Sequence, residues 1–278
     1  MTQDSLTSPI ASSARGNIVF KSIALLFPVF LTLIIAVPAF CEDRDLARLF
    51  SDKGISGTIV IADLNGSTRY VCNEPRANTP FVPASTFKIL NTLIALDVGA
   101  VTEKDVLKWD GRDCGVAACN RDQTLESAFR SSCVGFYQEL ARRIGTAGYF
   151  AYFNKVKFGT GSPTPELTTF WLEGDLKISA IEQIDFLKRI YREELPFRHA
   201  SYETLKRIMA VERTPEYTLS AKTGWAQRVA PQIGWYVGYV ESGDKVWFFA
   251  ANMDITNPAD ARFREQVTME ALKTKGII

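Results

Sequence analysis

β-prone runs stand at the two ends of this chain, and most of what lies between them has a helical pattern. Near the N-terminal end, Ser56–Leu64 (SGTIVIADL) and Ser67–Val71 are separated by Asn65-Gly66, a strong two-residue hairpin signal. From Ser85 to about Tyr191 the pattern is mostly helical, as in Phe136–Ile144 and Ile181–Tyr191, with glycine-bearing loops between. Period two returns at Thr218–Lys222, Gly234–Val240 and Val246–Met253, the last two joined by a Ser242-Gly243-Asp244 turn. Asp254–Ala259 then leads into a final helix with Pro258 near its start and Phe263, Val267, Ala271 and Leu272 on one face. The order predicts an α/β protein of the α+β type. Its mainly antiparallel sheet is built from both chain ends and flanked by helices, with an all-helical subdomain inserted. The cleft at such a junction is a natural ligand site.

Length allows ample core: 278 residues, 46% hydrophobic and 23% charged, have an ordinary globular composition. A formal net charge of +1 argues against a nucleic-acid surface or a polybasic membrane patch. Residues 1–41 read as an export segment and residues 42–278 as one domain that opens with the hairpin. Arg15 and Lys21 precede an almost uninterrupted apolar run, Ser22–Phe40, and Ala39-Phe40-Cys41 offers small residues for a cut before Glu42. An uncleaved membrane anchor is the alternative, since the run is nearly long enough to span a bilayer. Phe40 directly before Cys41 argues against lipid attachment.

If Cys41 leaves with the export segment, Cys72, Cys114, Cys119 and Cys133 remain in an oxidising compartment, where three pairings exist. Cys114 and Cys119 are close enough in sequence to bridge, and Cys133 is expected to pack as a small buried side chain. No zinc-type spacing occurs, so no metal is expected. The only histidine, His199, falls in a polar, proline-marked connection, Leu195–Ala200, and reads as a surface residue. Whatever deprotonates a serine here is then not an imidazole.

Ser85-Thr86-Phe87-Lys88 supplies a serine with an alternative base. A serine hydroxyl needs a neighbour to take its proton, and residues three apart on a helix share a face. The helix N-terminus adds a positive field where an oxyanion forms. Alone, the pattern is better read as a helix cap followed by a solvated lysine. Downstream, Lys222-Thr223-Gly224 sets a lysine, a hydroxyl and a glycine on one strand. Such a strand suits an extended, carboxylate-bearing substrate, because glycine permits close backbone approach. Ser132-Cys133-Val134 lies between the two, at the start of a helix.

Three such elements in this order resemble the serine β-lactamases and penicillin-binding proteins. Within that superfamily the chain resembles the class D, oxacillinase-type β-lactamases. Pro83–Lys88, Ser132-Cys133-Val134, Phe170-Trp171-Leu172-Glu173-Gly174 and Lys222-Thr223-Gly224 fit that family's motifs. Trp235-Tyr236-Val237-Gly238 and Asn252-Met253-Asp254-Ile255 extend the likeness, which covers Ser56–Ile278. One departure is Phe158-Gly159-Thr160, where the family usually has Tyr-Gly-Asn. It bears on loop geometry and substrate range.

The resemblance implies a periplasmic hydrolase of penicillins and oxacillin-type β-lactams that confers antibiotic resistance. It would be a monomer or homodimer, without stable membrane association once the export segment is cleaved. It implies Ser85 as nucleophile, Ser132 as proton relay and Lys222 as its electrostatic partner. Lys88 would be carboxylated by carbon dioxide or bicarbonate, with no other cofactor, in a pocket of Val134, Trp171 and Leu172. Burial supplies the physical reason, since it disfavours the ammonium and leaves a neutral amine to add carbon dioxide. Trp171 would donate its indole N–H to the carbamate. Thr223, Gly224, Trp225 and Arg264 would bind substrate, with the Ser85 and Trp225 N–H groups as oxyanion donors. The rival readings are a penicillin-binding transpeptidase or carboxypeptidase and a β-lactam-sensing receptor domain.

Overall fold

The computed structural model describes residues 42–163 and 166–278, so the export segment lies outside the described residues. Helix α1 (Arg44–Ser51) comes first, then strands β1 (Gly57–Asp63) and β2 (Arg69–Cys72), the short α2 (Glu74–Ala77), and α3 (Lys88–Asp97). Strands β3 (Val106–Leu107) and β4 (Gln123–Thr124) pair across a loop. Helices α4 (Leu125–Arg130), α5 (Val134–Val156), α6 (Ala180–Tyr191) and α7 (His199–Met209) follow. The chain ends with β5 (Ala210–Arg213), β6 (Tyr217–Ala226), β7 (Gln232–Ser242), β8 (Lys245–Ile255) and α8 (Phe263–Thr274).

Six strands form one sheet in the order β2-β1-β8-β7-β6-β5, and every pairing is antiparallel. The pairing of β1 with β8, from Gly57↔Met253 to Asp63↔Trp247, closes the two chain ends into that sheet. Asn65 and Gly66 turn β1 into β2. Gly66 has φ +75°, a conformation glycine adopts without steric cost, and its N–H donates to Asp63 O at 3.3 Å.

Both faces of the sheet are covered. Ile59 and Ile61 of β1 face a layer with α1 and α8 that includes Leu46, Phe50, Val267, Ala271 and Leu272. Val60 and Ala62 face the helical side, with Leu90, Leu93, Leu140 and Leu187 in the same core. Two-sided burial explains why β1 is a near-continuous apolar run.

Two features differ from the sequence reading. The described chain opens with α1, not with the hairpin. Asp43 caps α1 by accepting from Leu46 N at 3.2 Å, and the helix buries Leu46 and Phe50, worth about 2 kcal/mol each. His199 is the first residue of α7 rather than part of a loop. That helix buries Tyr202, Leu205, Ile208 and Met209 at helical spacing, although His199 itself is exposed. The break of α5 at Gly145, whose φ of +71° is not helical, falls where the sequence reading ended the Phe136–Ile144 helix.

Candidate active site

Ser85 stands on a tight 3-10 turn, Ala84–Phe87, that runs directly into α3, so the serine precedes the helix proper. Ala84 adopts φ +48°, a left-handed conformation costing on the order of 1 kcal/mol for a residue with a Cβ. The surroundings hold the turn in place. Trp235 of β7 donates its indole N–H to Val82 O at 2.9 Å, and Gln183 of α6 donates to Thr86 Oγ1 at 2.9 Å. A Cβ on Gly224 would come within 3.0 Å of Pro83 O and Thr86 Cγ2, so glycine lets β6 pass against this turn. The close backbone approach expected at Gly224 is therefore made, at least in part, by the chain itself. The signature at Trp235 thus acts as a brace for the serine turn. Asn252 and Asp254 have a different task, accepting from the Arg76 guanidinium at 2.8 and 2.7 Å and tying α2 to β8.

Lys88 has no exposed surface, and its Nζ lies 2.6 Å from Ser85 Oγ. Burial, reinforced by the charge of Lys222, holds its pKa well below that of an ordinary lysine. Across this 2.6 Å contact Lys88 Nζ donates to Ser85 Oγ, so the two atoms stand within reach of a proton transfer. Tyr137 lines this space, its ring centroid 5.3 Å from Lys88 Nζ. Val134 is half-buried, Leu172 is buried, and Trp171 is wholly enclosed. The Trp171 ring stacks on Phe87 at 5.6 Å and meets Phe170 edge-on at 5.0 Å. Its buried Nε1–H has no hydrogen-bond partner among the described residues. An unmet buried donor costs about 1–3 kcal/mol and marks a place where an acceptor fits.

Ser132 lies at the corner between α4 and α5 with φ +58°. Its Oγ accepts from Lys222 Nζ at 2.9 Å, and the same ammonium donates to Thr223 O at 3.0 Å. Lys222 is 4% exposed; burial, followed by the charge of Arg264, lowers its pKa to about 7. Arg264, at the start of α8, donates from Nη1 to Gly224 O at 2.7 Å, with its guanidinium carbon 5.8 Å from the Trp225 ring centroid. Gly234 makes room for it, because a Cβ there would meet Arg264 Cδ at 2.8 Å. Trp225 itself bonds Gln232 Oε1 through its indole N–H at 2.9 Å. Among the described residues, Lys88 and Lys222 are the buried lysines, and no Asp or Glu is buried with them. The site is short of negative charge.

The cysteine expectations need correction. Cys119 and Cys133 form a disulfide, whereas Cys114 is free and exposed and Cys72 free and buried. Closeness in sequence favoured Cys114 with Cys119, but the α4–α5 corner brings Cys133 back to Cys119. Cys133 is accordingly not a lone packed thiol. At the departure from the family pattern, Phe158 is buried against Phe186, with centroids 4.6 Å apart. Thr160 pairs with Lys177 through two backbone hydrogen bonds of 2.8 and 2.9 Å. Sequence reasoning missed Gln183, Tyr137 and Gly234. None carries a motif of its own, and only packing reveals what they hold.

A serine with a buried lysine on a helix start, a second serine with a second lysine, and this sheet with inserted helices define the penicillin-binding transpeptidase class of fold. The family described as penicillin binding protein transpeptidase domain matches residues 57–273. The chain is 40% identical to β-lactamase OXA-48 of Klebsiella pneumoniae over 250 residues, 88% of this chain and 94% of that protein. It is also 40% identical to β-lactamase OXA-2 of Salmonella typhimurium over 254 residues, 90% of this chain and 91% of that one. The class D β-lactamase YbXI from Nostoc superposes with a TM-score of 0.81 at 44% identity, covering 84% of this chain and 99% of that one. For FUS-1 (OXA-85) of Fusobacterium nucleatum the score is 0.83 at 36% identity, covering 86% and 100%. The chain belongs to the class D serine β-lactamases.

Proposed function

We propose that this enzyme hydrolyses β-lactam antibiotics, penicillins and oxacillin-type compounds among them, through an acyl-enzyme on Ser85, with Lys88 carboxylated as its general base. The observation that carries the reading is the pairing of a fully buried Lys88, its pKa held well below that of an ordinary lysine, with a buried indole N–H on Trp171 that no group among the described residues satisfies. A carbamate on Lys88 would give that donor an acceptor and add the missing negative charge beside Lys222. The buried amine, the unmatched donor and the positive site all suit the group.

In this account Lys88, once carboxylated, removes the Ser85 proton, and Ser85 Oγ attacks the lactam carbonyl. Backbone N–H groups of Ser85 and Trp225 receive the oxyanion. Ser132, bonded to Lys222, passes a proton to the departing lactam nitrogen. Lys222, Thr223 and Arg264 hold the substrate carboxylate beside Gly224, Arg264 through charge-assisted hydrogen bonds. Lys88 then activates a water that cleaves the acyl-enzyme, so one group serves both half-reactions. No metal or organic cofactor takes part. The protein is exported, with residues 1–41 removed, and acts in the periplasm, where hydrolysis protects the cell from the antibiotic.

Turnover of a chromogenic cephalosporin by purified protein tests this. Many turnovers per enzyme, lost on brief acidification and regained with bicarbonate, are expected. One equivalent of stable acyl-enzyme would instead indicate a transpeptidase or a sensor.

A further inference from the structure

We infer that the Cys119–Cys133 disulfide is a positioning element for the reaction, acting through Ser132; this rests on the proton-relay role proposed for Ser132 above. Cys133 is the middle residue of Ser132-Cys133-Val134, directly between the relay serine and a wall of the lysine pocket. Ser132 holds a left-handed backbone, φ +58°, that a residue with a Cβ adopts only when its neighbours impose it. Two backbone bonds help, Ser132 N–H to Phe129 O at 3.1 Å and Cys133 N–H to Ala128 O at 2.9 Å. Both run back into α4. The disulfide is the one covalent tie from this corner to a different segment of the chain.

That segment is itself braced. Gln123 donates to Ala118 O at 2.8 Å, Asn120 donates to Asp113 Oδ1 at 2.7 Å, and Trp109 N–H donates to Asp122 Oδ1 at 3.0 Å. The loop between β3 and β4 is thus a built support, and the disulfide joins it to the residue that follows Ser132. Without the bond, Ser132 Oγ keeps its contact with Lys222 Nζ only as well as the α4–α5 corner alone can hold it. Both bonded cysteines are buried, at the wall of a cavity of about 470 Å³ that Cys114, Phe136 and Arg142 also line.

The test is a double-mutant cycle on the full enzyme. Cys119→Ala, Ser132→Ala and the double variant are compared with wild type in kcat/KM for a chromogenic cephalosporin and in Tm. A parallel sample of wild type is treated with a phosphine reductant, with thiols counted by alkylation and mass spectrometry. Misplacing a catalytic group by an ångström costs up to about a hundredfold, so Cys119→Ala is expected to lower kcat/KM by about tenfold or more. In the Ser132→Ala background it should lower it little further, because the group it positions is already gone. Reduced wild type should behave as Cys119→Ala, which covers the case where that variant does not fold. Cys114→Ser should match wild type. Unchanged kcat/KM after bond loss, or losses that simply multiply in the double variant, would overturn the inference and leave the disulfide a matter of stability. Failure of the proposed hydrolysis is seen separately, as absent turnover in untreated wild type.

Discussion

Replacing Trp171 with phenylalanine removes one hydrogen-bond donor while keeping an aromatic ring against Phe87 and Phe170. Among the described residues, that donor has no partner. If it bonds a carbamate on Lys88, its loss removes a hydrogen bond to a charged acceptor, which contributes about 1.5–3 kcal/mol. At 1.36 kcal/mol per tenfold, the bicarbonate concentration giving half-maximal activity should rise by about tenfold to a hundredfold. The smaller ring also leaves a gap between neighbours at 5.0 and 5.6 Å and lowers stability by about 1–2 kcal/mol, so Tm is recorded alongside. The assay is initial-rate hydrolysis across a bicarbonate series in degassed buffer. Trp171→Phe should be nearly inactive at low bicarbonate and recover most of its activity at high bicarbonate. A variant with wild-type bicarbonate dependence would refute the reasoning, because Trp171 would then be core packing alone.

Other sites make separable predictions. Lys222 has a folded pKa of about 7, below its unfolded value, so the unfolded chain binds more protons between about pH 7 and 10. Stability should therefore rise with pH across that window in thermal melts, and Lys222→Met should flatten the slope; an unchanged slope would count against a lowered pKa at Lys222. Gly234→Ala drives a methyl group into the Arg264 side chain at 2.8 Å and should raise KM for carboxylated substrates by about tenfold with a smaller effect on kcat. Equal losses in kcat and kcat/KM would instead point to a disturbed Ser85 turn. Arg264→Ala should lower kcat/KM by about tenfold to a hundredfold, the worth of charge-assisted hydrogen bonds. A substrate ester lacking the carboxylate should show a much smaller loss, and equal losses for acid and ester would remove Arg264 from carboxylate binding.

The β1–β8 pairing was readable from the order of elements, because β-prone runs at both ends have one economical solution, a shared sheet. Ser85, Lys88, Ser132 and Lys222 stood out in the sequence through the family resemblance of their motifs taken together, since each motif alone is weak. The structure brings them into two contacts, Lys88 to Ser85 and Lys222 to Ser132. Helix α1 was harder: eight residues with only Leu46 and Phe50 buried carry little periodicity, although Asp43 was a usable cap signal. In α7, Pro196 and the polar Arg198-His199 start masked the spacing of Tyr202, Leu205 and Met209. The disulfide was not legible, since pairing depends on how the α4–α5 corner folds and the nearer partner in sequence was the wrong one. Nor could sequence show that the Trp171 indole N–H lacks a partner, which depends on every group packed around it.

Carbon-13 NMR of the enzyme in ¹³C-bicarbonate tests the central claim most directly. A single carbamate carbon resonance is predicted for wild type at mildly alkaline pH and should be absent from Lys88→Ala. On acidification it should disappear in proportion to lost activity and return with bicarbonate. Full turnover with no carbamate resonance would contradict the account and leave the bare amine of Lys88 as the base.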